Sequence, residues 1–208
     1  MHKNSSFLKK SFLVILFFFI FDSMIKTIPH TGDLLIAEPS ILNDNEFSRA
    51  VILLTDHGNN GSVGFVLNQL SNYKLKDLIT DIEVDFPVFK GGPVATDNLY
   101  FIHSVPELIP NSIKISKGIY WGGNFEAVKS LLNKDLLKLK DIRFFLGYSG
   151  WSKGQLFSEL KEKSWIVKTN SYKNVFLTNP KTLWKDEILK LGNKYKIWAN
   201  APKNPRLN

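Results

Sequence analysis

Cysteine is missing from the 208 residues. Its absence excludes disulfide frameworks, thiolate metal sites, cysteine nucleophiles and thiol redox chemistry. Arginine is scarce: Arg49, Arg143 and Arg206 are the only three among 27 basic residues. Reading of base edges leans on arginine, whereas lysine is a hydrated point charge suited to unspecific attraction. No internal repeat is present, and the 13 Gly and 9 Pro are too dispersed to make a flexible linker. No apolar run reaches the ~20 residues that a bilayer-spanning helix needs, so no stable membrane span is expected.

The longest apolar run, Phe12 to Phe21, follows Lys3, Lys9 and Lys10. This arrangement has the first two parts of a secretory signal, but Asp22-Ser-Met-Ile-Lys26 offers no small-x-small cleavage site. The expectation is that translation starts at Met24. Residues 1–23 are then an apolar extension and 24–208 a single domain, with an exported or membrane-anchored protein as the alternative. With 44% hydrophobic and 22% charged residues, the chain has the composition of a globular domain that buries its own core.

The net charge of +8 is unevenly placed. Residues 1–160 hold 16 basic and 16 acidic side chains, and 161–208 hold 11 against 3. A basic tail raises DNA as a partner. Lys181 and Lys185, however, fall on the polar face of a helix whose Leu183, Trp184 and Ile188 turn inward, which favours a solvated surface.

Asp33–Ala37 reads as a short buried strand stopped by Pro39. Ala50–Thr55 and Ser62–Asn68 read as a hairpin joined through Asp56-His-Gly-Asn-Asn-Gly61, a loop longer than two residues. Leu75, Leu78 and Ile79 share a helix face behind a cap at Ser71 or Asn72. Ile113–Ile115 and Gly118–Trp121 form a second hairpin, and Asn124 caps a helix carrying Val128, Leu131 and Leu132. Arg143–Leu146 reads as a strand that breaks at Gly147, and Ser152–Lys163 as an amphipathic helix. The lack of a regular strand-helix alternation argues for an α+β fold with a mixed, largely antiparallel sheet and flanking helices.

Three stretches stand out. Phe47-Ser-Arg49 leads into the hairpin ending Gly64-Phe-Val-Leu-Asn68. Pro87-Val-Phe-Lys-Gly91-Gly92-Pro93-Val94 precedes Phe101-Ile-His103. Arg143-Phe-Phe-Leu-Gly147-Tyr148-Ser149-Gly150-Trp151-Ser-Lys-Gly154-Gln155-Leu156 runs on to Glu159. In this order, and with GDLLIAEP before them, they resemble the YqgE/AlgH family of bacterial proteins. The resemblance covers about Gly32 to Lys163, and more loosely the C-terminus. It implies a bifurcated sheet curled into a pseudo-barrel, a cytoplasmic location, no established enzymatic activity and a proposed link to transcriptional regulation. One departure is Phe157, where the family usually places an acidic residue after GQL.

Catalytic patterns fit poorly. Gly147-Tyr-Ser149-Gly-Trp151 lies where a nucleophile elbow would, but Trp151 stands where G-x-S-x-G needs glycine. The same turn lacks the G-K-[ST] of a phosphate-binding loop. His57 and His103 with Asp56 lack metal-ligand spacing, so neither metal nor cofactor is expected. The function these residues suggest is non-catalytic binding or regulation, with a small anion or a protein as partner. The working surface would be the glycine turns, with Gly91, Gly92, Pro93, Tyr148, Trp151 and Gln155 as ligand-binding candidates. Asn68 and His103 are candidates close by, and Arg49 would capture an anion or form a structural ion pair. The alternative is a hydrolase acting on an anionic small molecule, with His57 or His103 in reach of Ser149, Asp56 or Tyr148.

Overall fold

The structure, a computed structural model, describes residues 25–26, 28–172 and 174–202, without the side chains of 25 and 26. The expected extension 1–23 and Arg206 lie outside the described residues.

Eleven strands form one sheet: β1 Ile25–Lys26, β2 Leu34–Ala37, β3 Val51–Gly58, β4 Gly61–Val66, β5 Leu70–Lys74, β6 Pro87–Lys90, β7 Val94–His103, β8 Ile113–Ser116, β9 Ile119–Trp121, β10 Ile142–Ser152 and β11 Trp165–Lys168. The main path runs β1-β11-β2-β3-β4-β10-β7-β9-β8, with β6 and β5 branching from β10. All ladders are antiparallel except β6 on β10. The α+β, largely antiparallel and bifurcated reading therefore holds. The path ends at β1 and β8, and among the described residues no ladder joins them. The sheet is branched and open, where the resemblance implied a pseudo-barrel.

The branch follows from the sequence of β10. Its first half, Ile142–Leu146, is apolar apart from Arg143, is buried on both faces up to Phe145, and lies between β6 and β7. Side chains alternate in direction along a strand. Ile142 and Phe144 thus enter one core with Val88, Phe101, Val128 and Leu132. Phe145 enters the other, with Leu35, Leu53, Phe65 and Val167. The strand does not stop at Gly147. That residue adopts φ 66, the register against β7 slips there from Leu146 opposite Leu99 to Tyr148 opposite Val94, and the chain continues to Ser152 against β4. A side-chain-free residue accommodates the left-handed kink of a bulge that an ordinary residue would break.

The β3–β4 hairpin is tighter than the loop length suggested. Pairing extends to Gly58 and Gly61, leaving only Asn59 and Asn60 unpaired. The helix Leu75–Leu78 begins after Lys74 rather than at Ser71 or Asn72, because Ser71–Lys74 pairs in β5 and the Asp77 carboxylate accepts the Lys74 amide. Asn124 caps Phe125–Asn133 as expected, accepting the Ala127 amide. Helices Gln155–Lys161 and Leu183–Leu189 pack their apolar stripes on the larger core. No described helix is long and apolar enough to cross a membrane.

Candidate functional site

The glycine turns meet where β6 leaves and β7 begins beside the Gly147 kink. A Cβ on Gly91 would lie 2.2 Å from the Gly147 carbonyl oxygen and 2.9 Å from the Phe65 ring, so this approach needs glycine. The Gly91 amide donates to the Leu146 carbonyl, and its own carbonyl accepts the Val66 amide and the Ser149 hydroxyl at 3.0 Å. Ser149 is fully buried. The corner is thus a packed crossing of backbones, and its serine faces inward.

An open cleft of about 530 Å³ lies between the β3–β4 hairpin and the far half of β10. Gly58 and Gly150 leave exposed backbone along it, Gly61 packs against the Trp151 carbonyl, Asn59 and Asn60 border it at the turn, and Asp56 and Tyr148 bring a carboxylate and a ring. Its lining contains one acid and no basic residue. Tyr148 is steadied by an edge contact with Tyr100, ring centroids 5.7 Å apart. Trp151 also borders the cleft, but it is largely buried and its indole donates to Glu159 at 2.8 Å.

The remaining sequence candidates have internal roles. Asn68 accepts the Val51 amide and donates to the Arg49 carbonyl, bridging the entry and exit of the hairpin. Arg49 is not on a strand: it turns with φ 56 just ahead of β3. Its guanidinium donates to the Ala201 and Pro202 carbonyls over the Trp184 ring, so it ties residues 201–202 to the hairpin entry, with no ion pair among the described residues. His103 is fully buried between the Gly122 carbonyl, which accepts from Nε2, and the Val105 amide, which donates to Nδ1. Burial lowers its pKa, an effect partly opposed by the Gly122 bond and the charge of Glu107. Gln155 holds the start of its helix by accepting the Ser152 amide and hydroxyl, and donates to Glu159. Gly92 borders a separate cavity of about 260 Å³ with Lys90, Gln69 and Glu46, and Pro93 is exposed. The expected convergence on one face is therefore partial: Tyr148 and Trp151 share the cleft, and Asn68, His103 and Arg49 do not line it.

His57 does not approach Ser149. It pairs with Ser62 across the hairpin, Nδ1 to Oγ 2.7 Å. Among the described residues no group of three or more His, Asp or Glu side chains is placed to hold a metal ion.

Several residues of consequence escaped the sequence reading. Glu159 accepts both the Trp151 and Trp165 indole N–H groups, the latter at 2.7 Å. Glu187 and Lys168 form a fully buried pair at 2.6 Å, joined by Tyr172 and Lys190. Desolvation opposes the Glu187 charge, but the bonds from Lys168, Lys190 and Tyr172 outweigh it and leave its pKa lowered. Arg143 is buried in an otherwise apolar strand, and its position in Ile-Arg-Phe-Phe-Leu was the available signal. Phe157, by contrast, is 61% exposed beneath the Lys161 ammonium, which fits a surface position where an acid is dispensable.

The model of the AlgH-like family matches residues 34–196, which include both the glycine crossing and the cleft. The chain belongs to the AlgH-like family. A UPF0301 protein of Bacteroides thetaiotaomicron is 40% identical over 185 residues, covering 87% of this chain and 92% of that one. A second, from Bacteroides fragilis, is 42% identical over 185 residues, covering 86% and 92%. Among solved structures, the AlgH protein from Pseudomonas aeruginosa is 24% identical with a TM-score of 0.65, covering 83% of this chain and 94% of that one. Protein DIP2367 from Corynebacterium diphtheriae superimposes with a TM-score of 0.70 at 19% identity, covering 88% and 97%. These two likenesses support the AlgH-like fold, and none of the four names states an activity.

Proposed function

We propose that this AlgH-like protein is a non-catalytic, cytoplasmic binding protein whose ligand enters the cleft between the β3–β4 hairpin and the Tyr148–Ser152 end of β10. The observation that carries this reading is the character of the cleft. It offers bare backbone, two asparagines, a carboxylate and an aromatic ring, while the Ser149 hydroxyl is turned away into the Gly91 carbonyl. One acid, an aromatic ring and the lack of any basic side chain in the lining favour a neutral or cationic polar ligand over an anion at this place. A fragment screen read by amide shifts tests it. Neutral and cationic polar compounds are expected to shift the Gly61 and Gly150 amides and to lose affinity in Asp56→Asn. A set of hits confined to anions would overturn it.

Hydrolysis is the second reading, and the His57–Ser62 pair is the observation in its favour. Among the described residues no carboxylate hydrogen-bonds to the imidazole, and the neighbouring Asp56 leaves the opposite face of the strand, so none of them serves as the orienting third member of a triad. Ester turnover that disappears in both Ser62→Ala and His57→Ala would establish this second reading in place of the first.

A further inference from the structure

Arg143 lies at the wall of a cavity of about 270 Å³ on the branch side of β10. Phe86, Phe89, Phe144 and Phe176 surround it with Pro87 and Pro180, and Leu139 and Leu70 stand at its exposed rim. Arg143 is 6% exposed, and its guanidinium carbon lies 4.5 Å from the centroid of the Phe89 ring. Nη1 donates to the Leu67 carbonyl and to Thr178 Oγ1, and Nη2 donates to the Phe176 carbonyl. Those bonds use three of its five N–H groups, so Nε–H and one N–H on Nη2 have no partner among the described residues. Since no buried side-chain nitrogen among the described residues lacks a partner, Nε is left in contact with accessible space, and Arg143 is one of the residues that line this cavity.

The charge is equally unanswered. Among the described residues no carboxylate pairs with Arg143, and burial alone depresses its pKa, to about 10. Lys168, the other deeply buried cation, has Glu187 at 2.6 Å. An arginine serving only as a staple between carbonyls has no need of an apolar chamber beside its free edge. We propose that this chamber binds a small anion with an apolar body, an aromatic or short-chain carboxylate whose oxygens take the free N–H groups of Arg143. A volume of 270 Å³ equals about nine waters at ~30 Å³ each, room for a carboxylate bearing one ring. Planar guanidinium suits a carboxylate, and the phenylalanine walls suit its body.

The test titrates the full chain with phenylacetate and, separately, with the uncharged isostere 2-phenylethanol, reading backbone amide shifts and heat. Saturable phenylacetate binding is expected, with shifts at Arg143, Phe144 and Thr178 and an affinity at least ~10-fold above that of the alcohol. Leu139→Trp should abolish it by filling the rim, with the unfolding temperature preserved because Leu139 is 51% exposed. Equal affinity for acid and alcohol, absence of saturation, or binding that survives in folded Leu139→Trp would each overturn the proposal. The Gly150 amide reports the cleft independently, so this result and that of the cleft are separable.

Discussion

The Gly91 carbonyl accepts two donors, the Val66 amide and the Ser149 hydroxyl. Ser149→Ala therefore leaves that oxygen bonded, and a loss of only ~1 kcal/mol is expected in denaturant unfolding. Gly91→Ala is the opposite case, since the new methyl would meet backbone at 2.2 Å. A loss of at least ~3 kcal/mol, or failure to fold, is expected by the same measurement. His103 sets a pH dependence. Its folded pKa lies below its ordinary 6.5, so its contribution to stability is complete above 6.5. That contribution falls as pH drops from there through the lower folded value, because the unfolded chain takes the proton first. Thermal unfolding measured between pH 7 and 5 should show this decline, and His103→Gln should make it shallower.

At the scale of elements, helix Gln155–Lys161 is held to β10 and β11 by one carboxylate. Glu159→Ala would orphan two buried indole N–H groups, at ~1–3 kcal/mol each. A fall in unfolding midpoint with altered tryptophan fluorescence is the expected readout. The periodic elements were legible from sequence. The Asn124 cap, the two hairpins and the strand Leu34–Ala37 fall where pattern and turn chemistry put them. The kink at Gly147 was not, because a glycine after an apolar run is compatible with either a strand end or a bulge, and only the pairing with β4 beyond it decides the case. Site residues suffered for a related reason. Asn68, His103, Gln155 and Trp151 are polar or aromatic side chains in a glycine-rich setting, which looks like a ligand surface until their backbone partners are known. Arg143 and Glu159 went unmarked because a lone charge gives no sequence sign of whether it is buried.

Across the whole molecule, the basic excess after residue 160 is less free than its count suggests. Lys168 is buried on Glu187, Lys190 reaches the same carboxylate, and Lys185 bonds Asn200. Glu187→Gln should remove ~3 kcal/mol or more by leaving the Lys168 ammonium uncompensated. Lys168→Met combined with Glu187→Leu should recover most of that loss in the same unfolding assay. The pair also sets an acid limit. Glu187 titrates below its ordinary 4.5, so its contribution is present above 4.5 and is lost as pH falls through the lower folded value.

Strand β10 has a further consequence. It is a party wall: Phe144 furnishes one chamber of the interior and Phe145 the other. Neither room stands if the wall is taken down, so the two cannot melt in separate stages. Hydrogen exchange at Phe144 and Phe145 should accordingly be as slow as that of any amide in the molecule, opening only when everything opens.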